Sequence, residues 1–468
     1  MEEKKKKKYK LKGKVITIIL CILCLVIGGV VGYILPRNTS EDERYNYELL
    51  SEIMEIIDEK WVNPNGEDSD TDSTMIESFV SSLGDAYTSY MTISDAQEFA
   101  SSINGSVVGI GVTFTTINSG GLVTKVFDGA PADKAGMLAG DIIIEVDGAS
   151  MEGLTSDEIK EAVTGDANTE VEITVLRDNK EKTFTITRKE VETDVSYNLG
   201  ENYGYLELTT FGDDTVDRVE EALKYFVSED VENIVIDVRD NSGGYLDSVV
   251  SILSLFVDEG ELLFTLNTSD DSIEYTAEDS NKYSFTNGYI LMNGSSASCS
   301  EVLIGALTEI LDYQTIGETS FGKGIAQSQT YLSNGAILKY TYATWDTPSG
   351  VNIHGTGFEP DYEVKESDIS DYYISEEFNE TYEYDDVDDN IAIVQKILKK
   401  CGYDIDRTDG YFSKKTRKAI KQYQSDQDLD ETGKITYDLY LKLYSSVATE
   451  IYVNSEDKVL AKAEELMK

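Results

Sequence analysis

The most apolar part of the chain lies near its start, where Val15–Leu35 contains no charged residue. A helix of this length, at ~1.5 Å rise per residue, crosses the hydrocarbon layer of a bilayer, and the lysines before it should stay cytoplasmic. A cleaved signal peptide is the alternative, but Gly32-Tyr-Ile-Leu-Pro36 lacks the small-x-small pattern of a good cleavage site. The pattern predicts a basic cytoplasmic tail (1–14) and a transmembrane helix (15–35). This helix would anchor the protein in the cell membrane with a single pass, and all residues after it would lie on the extracellular side.

Residues 41–102 follow with apolar positions at helical spacing. The first set is Leu49, Ile53, Ile56, Ile57 and Trp61. Two further helical patterns cover Ile76–Leu83 and Ser94–Phe99. We predict a helical N-terminal arm, which serves either as a surface spacer or as a docking arm through which two copies form a homodimer.

Residues 103–190 change to short alternating strands separated by glycine turns, with a helical pattern at Ser156–Val163. The order of strands and helices, opened by Val107–Phe114, resembles a PDZ domain. In that family, backbone N–H groups of a glycine-rich turn bind the C-terminal carboxylate of a peptide that adds as a strand. The resemblance assigns this role to Gly109, Ile110, Gly111 and Val112.

Residues 191–365 alternate apolar strands with amphipathic helices, which is typical of an α/β domain. Asn233–Arg239 and Tyr289–Met292 are short apolar runs of the kind found in buried parallel strands. The second run leads into the small-residue segment Asn293–Glu301, and a helix is predicted to begin just past Ser298.

The remaining residues divide into three parts. An acidic, tyrosine-rich stretch is predicted to be a linker (366–384), and three amphipathic helical patterns fill residues 385–446. With the turn Asp409-Gly-Tyr-Phe412, these helices resemble the peptidoglycan-binding domain of cell-wall proteins, which implies peptidoglycan as a partner and the cell-wall side as the location. An unspecified three-helix module is the alternative. Residues 447–468 are predicted to be a charged tail.

Composition narrows the function classes. Asp and Glu number 88 against 40 Lys and Arg, a net charge of −48. A field of this sign repels nucleic acid, so no nucleic-acid partner is expected. The chain has four cysteines and one histidine. Two of the cysteines fall in the predicted membrane segment, so neither a disulfide framework nor a zinc site of Cys and His is expected, and no metal or cofactor is predicted.

The candidate chemistry is a serine and a lysine. Ser298 opens a helix, and Lys323 stands between two glycines in Phe321-Gly-Lys-Gly-Ile-Ala-Gln327. A serine hydroxyl becomes a nucleophile when a neighbouring base takes its proton. A neutral Lys323 can be that base if burial lowers its pKa, and Gln327 can orient its amine. The single histidine, His354, leaves a conventional triad open as the alternative.

Backbone N–H groups supply the expected oxyanion hole. The N–H of Cys299 lies at the start of the helix, where N–H groups are unpaired and the helix dipole is positive. A second donor is expected from the Gly243–Gly244 turn, because glycine lets a backbone come close to a substrate carbonyl.

Residues 45–365 together resemble the carboxy-terminal processing proteases, the tail-specific serine peptidases. The resemblance rests on Leu83-Gly-Asp-Ala-Tyr-Thr-Ser-Tyr90, the PDZ module, Asp237-Val-Arg-Asp-Asn-Ser-Gly-Gly244, Ser296-Ala-Ser-Cys-Ser-Glu301, the Lys323 segment, Thr347-Pro-Ser-Gly350 and Gly357-Phe-Glu-Pro-Asp361. It implies that Ser298 is the nucleophile, Lys323 its base and Gln327 the orienting glutamine. Cys299 stands where the family usually has alanine, and Ser242 where proline is common; neither change removes a catalytic atom.

The fold class predicted from the sequence is a multidomain α/β protein. It comprises a transmembrane helix, a helical arm, a β-rich PDZ module, an α/β serine-peptidase core and a small three-helix C-terminal domain. The implied activity is an extracytoplasmic serine endopeptidase that captures protein tails and forms an acyl-enzyme through a Ser–Lys dyad. The alternatives are a catalytically inactive scaffold that binds tails and cell wall, and a wall hydrolase. A wall hydrolase needs positioned carboxylates or a metal, and the sequence shows no such constellation.

Overall fold

The fold is given by a computed structural model that describes residues 51, 53, 71–177, 180–278, 280, 282–366 and 369–468. Its strands are β1 (Ser89–Met91), β2 (Ser106–Gly109), β3 (Val112–Ile117), β4 (Gly120–Val126), β5 (Ile142–Val146), β6 (Ala149–Ser150), β7 (Glu170–Arg177), β8 (Lys180–Thr187), β9 (Lys189–Glu192), β10 (Val195–Leu199), β11 (Tyr203–Leu208), β12 (Asn233–Asp237), β13 (Leu262–Thr268), β14 (Ser272–Thr276), β15 (Asn287–Met292), β16 (Gln314–Gly317), β17 (Ile325–Tyr331), β18 (Ile337–Asp346) and β19 (Tyr362–Glu363). Its helices are α1 (Thr71–Ser81), α2 (Ile93–Ile103), α3 (Pro131–Ala135), α4 (Ser156–Val163), α5 (Thr215–Ser228), α6 (Leu246–Ser254), α7 (Cys299–Leu311), α8 (Asp389–Lys400), α9 (Lys414–Asp426), α10 (Tyr437–Thr449) and α11 (Lys458–Leu466), with a 3₁₀ turn at Ile369–Tyr372 and a π-helical turn at Glu450–Asn454.

The predicted fold class needs one correction. No helix within the described ranges is long and apolar enough to cross a membrane, so the transmembrane helix is withdrawn from the fold class. The predicted span, residues 15–35, lies outside the described residues, as does the basic tail before it. Most of the first predicted helix of the arm lies outside them too, and the homodimer through that arm stays a prediction.

The PDZ module is a five-strand antiparallel sheet in the order β3-β4-β5-β7-β8, with β6 beside β5. Its core includes Ile110, Val123 and Ile143 from the strand side and Ile159 from α4. Strand β3 lies at the edge of this sheet, so one row of its backbone groups is not paired within the sheet. A short β2–β9 ladder lies where the chain enters and leaves the module.

The α/β domain is built on a six-strand sheet in the order β10-β11-β12-β15-β16-β19. The four strands from β11 to β16 are parallel, and their alternate residues face opposite sides. Leu206, Ile234 and Ile290 pack on one face with α5, α6 and α7. Tyr203 and Leu291 belong to a separate cluster on the other face.

A second sheet, β1-β18-β13-β14 with β17 also on β18, packs through Leu266 and Trp345 on the same core. Strand β1 comes from the arm, which was predicted to be entirely helical. It pairs with β18 through Tyr90 and Leu338, and Val80 of α1 packs with Tyr90 and Ala336. The arm is therefore part of the wall that carries β17 and the residues after Lys323.

Helix α11 replaces part of the predicted charged tail (447–468). Its Val459 and Ala463 are buried against Val235 and Leu291 on the open face of the six-strand sheet. The prediction failed because the helix is charged outside its narrow apolar stripe, and the partner of that stripe lies far away in the sequence.

An arginine fixes the start of α11. Arg239, just after β12, donates to Asp237 at 2.6 Å, to Asp457 at 2.7 Å and to Glu366 at 2.8 Å. Asp457 caps α11 by accepting from the N–H of Val459 at 3.0 Å. The loop that follows β12 is thus tied directly to the C-terminal helix.

The predicted linker (366–384) also differs from expectation. Its Ile374, Phe378 and Tyr382 are buried in the core of the three-helix domain formed by α8, α9 and α10. The Ile374 N–H donates to the Tyr440 hydroxyl at 2.7 Å. Acidic residues separate the buried apolar residues of this segment, so its acidic composition did not predict that it packs in a core.

The three-helix domain also contacts the PDZ module. Ile117 and Leu122 of the PDZ sheet are buried with Ala448 of α10, and Tyr444 packs against them. The C-terminal region therefore contacts the PDZ module through α10 and the six-strand sheet through α11.

Replacing Ala463 by glutamate should lower the free energy of unfolding by about 3 kcal/mol. The new carboxylate would have no partner and would lie against the apolar face of the six-strand sheet. Calorimetric unfolding measures the change. The control, Glu465→Ala on the exposed side of α11, should change stability by no more than about 0.5 kcal/mol. Equal melting curves for both variants would show that α11 is not held on the sheet.

Candidate active site

Ser298 lies in a turn between a buried strand and a helix. Strand β15 delivers the chain to the turn, and α7 begins at Cys299. Ser298 has φ 57° and ψ −116°, a backbone conformation that residues with a side chain rarely adopt. In α/β-hydrolases, a strained strand-to-helix turn exposes a nucleophile above the sheet.

Hydrogen bonds hold this turn to the loop after β12. The hydroxyl of Ser296 donates to Val238 O at 2.8 Å, and the hydroxyl of Ser300 donates to Asn241 O at 2.8 Å. The Ala297 N–H donates to the same Asn241 carbonyl at 3.0 Å. The serines on either side of Ser298 are thus structural, and they anchor the turn to the loop that ends in Gly243 and Gly244.

Two backbone N–H groups remain free beside Ser298. The N–H groups of Cys299 and Gly244 have no acceptor within hydrogen-bond distance in the described part of the chain. Of the two glycines expected to supply the second donor, Gly243 instead donates its N–H to Asn241 Oδ1 at 2.9 Å. A Cβ on Gly243 would lie 2.8 Å from the Ser298 Cβ, so only glycine fits there.

The thiol of Cys299 is buried away from this role. Its Sγ donates to Gly244 O at 3.3 Å, and burial raises the pKa of the thiol to about 11. The thiol is therefore protonated at physiological pH, and it is a poor nucleophile.

A buried carboxylate joins the serine turn to the lysine loop. Glu301 is fully buried and accepts four hydrogen bonds. Its Oε1 accepts from the Ser320 hydroxyl at 2.7 Å and the Gly322 N–H at 2.6 Å. Its Oε2 accepts from the N–H of Ser298 at 3.0 Å and of Lys323 at 2.7 Å. One side chain therefore fixes the backbone at both candidate catalytic residues.

Lys323 shares a cavity with Ser298. Both residues line a cavity of ≈ 400 Å³. The Lys323 Nζ lies 5.5 Å from the centre of the Tyr87 ring, and no described carboxylate forms an ion pair with it. Burial, together with the positive charge of Lys339, lowers the pKa of Lys323. The environment thus favours the neutral amine that a general base requires.

Gln327 lies on β17 and lines the same cavity. Its Nε2 donates to the Tyr87 carbonyl at 2.5 Å. That bond holds the Gln327 amide against the arm. The Oε1 atom is then the group that could accept a hydrogen bond from the Lys323 amine. The orienting role predicted for Gln327 stays a prediction.

His354 lies outside the cavity. Its side chain is exposed, and its ring meets Tyr87 edge-on at 6.1 Å between ring centres. It is not among the residues that line the cavity with Ser298. The geometry therefore favours Lys323 over His354 as the partner of Ser298.

The PDZ module has its own groove of ≈ 370 Å³ between β3 and α4. Gly109, Ile110, Gly111 and Val112 all line it, and the carboxylate-binding role expected of this turn stays a prediction. Thr209 lines both this groove and the catalytic cavity, so the two sites share a wall.

Three residues of the catalytic site were not predicted from the sequence. Glu301 is three residues after Ser298, a spacing that signals a carboxylate bound to the N-terminal backbone of a helix. Tyr87 lies within a quoted motif but gave no sign of its contact with Lys323. No sequence pattern pointed to Lys339 of β18, because the alternation of a strand does not show which of its two faces lines the cavity. Within the described ranges no three His, Cys, Asp or Glu side chains are grouped to hold a metal ion.

Comparisons with known proteins agree with the three domains. Family models match for peptidase family S41 over residues 202–364, for a PDZ domain over 108–187 and for a peptidoglycan binding domain over 387–443. A Staphylococcus haemolyticus (strain JCSC1435) protein named "Probable CtpA-like serine protease" is 33% identical over 394 residues, 82% of this chain and 78% of that protein. A protein of the same name from Staphylococcus aureus (strain COL) is 30% identical over 457 residues, 96% of this chain and 91% of that protein.

Among solved structures, a "Photosystem II D1 C-terminal processing protease" shares 28% identity and gives a TM-score of 0.42, covering 67% of this chain and 86% of that chain. The family resemblance predicted from the sequence is confirmed by the family models and by the two staphylococcal relatives.

Replacing Glu301 by glutamine should lower kcat for protein cleavage by roughly 10- to 100-fold, since a shift of about 1 Å in a reacting group has that effect. The NH₂ group of glutamine cannot accept hydrogen bonds, so it would face N–H and O–H donors that now bind the carboxylate. The backbone at Ser298 and Lys323 must therefore move. Steady-state kinetics on casein measure the loss, and calorimetry shows whether the fold is kept.

Glu309→Gln is the matched control. Glu309 lies on the same helix, accepts two hydrogen bonds from Ser349 at 2.7 and 3.0 Å, and is exposed rather than buried. It should keep near-normal kcat. If the Glu301 and Glu309 variants cleave casein equally well, the four bonds at Glu301 do not position the catalytic residues.

Proposed function

Because the chain belongs to peptidase family S41 and is a CtpA-like serine protease with a PDZ domain, we propose that it cleaves polypeptides captured by their C-terminal tails. Ser298 is the nucleophile and Lys323 the general base. The observation that carries this assignment is the Glu301 carboxylate, which binds the backbone N–H of both residues. Their side chains line one cavity whose lining contains no Asp or Glu.

The proposed reaction proceeds through an acyl-enzyme. Neutral Lys323 takes the proton of the Ser298 hydroxyl as Oγ attacks the scissile carbonyl. The oxyanion accepts hydrogen bonds from the N–H groups of Cys299 and Gly244. The lysine ammonium then gives its proton to the leaving amine, and the C-N bond breaks. Lys323 next takes a proton from a water molecule as that water attacks the Ser298 ester, and it returns this proton to Ser298 Oγ when the ester C–O bond breaks, which restores the hydroxyl and the neutral amine. Gln327 orients the amine in both steps.

Substrate capture uses the PDZ groove. A tail that adds beside edge strand β3 pairs with its free backbone groups, and the turn from Gly109 to Val112 binds the terminal carboxylate. The wall shared at Thr209 supports a short route from this groove to Ser298. The peptidoglycan-binding domain supports a location on the cell-wall side and peptidoglycan as a partner. A catalytically inactive scaffold with the same partners is the alternative outcome of the tests below.

Ser298→Ala and Lys323→Ala should each reduce casein cleavage by at least ~10³-fold, because each removes a group that acts in the chemical step. Binding of a fluorescent tail peptide, measured by anisotropy, should be unchanged in both. His354→Ala and Cys299→Ala are the controls and should retain activity. The dyad is wrong if Lys323→Ala stays active while His354→Ala is inactive, and wild-type protein that binds tails without cutting casein would identify a scaffold.

The pH dependence follows from the base. Lys323 acts as the neutral amine, so kcat/KM should fall as the pH drops through its pKa, and this acidic limb should lie below the ordinary lysine pKa of ~10.4. Lys339→Met removes a positive charge from the cavity, raises the pKa of Lys323 and moves the limb to higher pH. Lys182→Met, remote from the cavity, should leave the limb in place. A limb at the same pH in all three proteins would exclude Lys323 as the titrating base.

A further inference from the structure

The catalytic cavity has the opposite charge from the rest of the protein. The chain carries a net charge of −48. The cavity around Ser298 is nonetheless lined by two lysines, Lys323 and Lys339, and by no Asp or Glu. A positive site in a negative protein attracts anionic groups to that site alone, because like charge elsewhere repels them.

Lys339 is the cation that remains when Lys323 acts as a base. It lies on β18, opposite Gln329 of β17, and both line the cavity. Its Nζ lies 4.6 Å from the centre of the Phe99 ring of α2. No carboxylate of the described residues lies within ion-pair distance of Lys339. Its ammonium is therefore partly withdrawn from water without the counter-ion that such a group normally has.

The fold gives no structural reason for this ammonium. The packing on Phe99 would be served by an apolar side chain, and neighbouring positions of β18 are held by strand pairing on both sides. Gln329 adds a second polar group beside the amine, at the rim of the same cavity. An unpaired cation with an adjacent hydrogen-bonding amide is suited to a carboxylate that arrives with the substrate.

We propose that Lys339 and Gln329 form a subsite that binds a carboxylate of the polypeptide substrate close to the scissile bond. The carboxylate comes either from an Asp or Glu side chain or from the chain terminus. The subsite rests on the proposed function, since it requires the polypeptide to occupy the Ser298 cavity. It makes Lys339 a specificity-determining residue of this peptidase.

Internally quenched peptides that differ only by Glu or Gln test the subsite. The Glu is moved one position at a time along a common sequence, and kcat/KM is measured at a pH above the acidic limb so that the protonation of Lys323 does not intervene. The wild-type enzyme should prefer Glu about tenfold at one or two positions, as expected for a charge-assisted hydrogen bond. Lys339→Met should cleave the Gln peptides and give a Glu/Gln ratio near one, and Lys339→Arg should restore the preference.

Lys182→Met is the matched control, because the Lys182 Nζ also lies 4.6 Å from a phenylalanine ring, that of Phe184 in the PDZ sheet. It should keep the wild-type ratio. A second arm compares free-acid and amidated Gln peptides. A preference for the free acid that disappears in Lys339→Met assigns the subsite to the chain terminus, whereas loss of the Glu preference alone assigns it to the side chain.

The subsite is wrong if wild type shows no Glu or free-acid preference, or if Lys339→Met keeps whichever preference wild type shows. Cleavage of the Gln peptides by the same variant would leave the proposed function intact, so the two failures are distinguishable. Should Lys339→Met not fold, binding of Glu and Gln peptides to Ser298→Ala gives the same answer. The Glu peptide should bind about tenfold tighter, and this advantage should shrink as salt screens the charge; equal binding overturns the subsite.

Discussion

The buried carboxylate of Glu301 is the interaction on which the catalytic arrangement depends. Its two oxygens accept four donors, two of them the backbone N–H groups of Ser298 and Lys323. A buried carboxylate is costly unless its oxygens are satisfied, so the serine turn and the lysine loop are stable only as a pair. The strain at Ser298 persists for the same reason, since its backbone is fixed from α7 and from the loop after β12.

The lysine has the opposite environment. The backbone of Lys323 is bound to a carboxylate, but the residue lines a cavity that no acidic residue lines. The protein thereby holds the residue rigidly without giving the amine a counter-ion. Lys339 strengthens this effect, because a second positive charge in the cavity further lowers the pKa of Lys323. Glu301 acts on both properties, because it fixes the Lys323 backbone and its negative charge partly opposes the lowering of the Lys323 pKa by burial and by Lys339.

Local sequence was enough to predict the residues whose chemistry depends on short spacing. Ser298 at the start of a helix, Lys323 between glycines and the PDZ turn Gly109–Val112 are all signals within a few residues, and the family resemblance joined them. Strand β1, helix α11 and Lys339 gave no such signal. Each owes its role to a partner distant in sequence: β18 for β1, the open sheet face for α11, and the Ser298 cavity for Lys339.

Helix α11 also sets a condition on how this protein acquires its structure. The sheet face that it covers is formed by β11, β12, β15 and β16, and the whole three-helix domain lies between these strands and α11 in the chain. Closing so long a loop is entropically unfavourable until the intervening domain has become compact. We therefore expect α11 to dock late in folding, and the ion pair between Arg239 and Asp457 forms only after the three-helix domain has become compact.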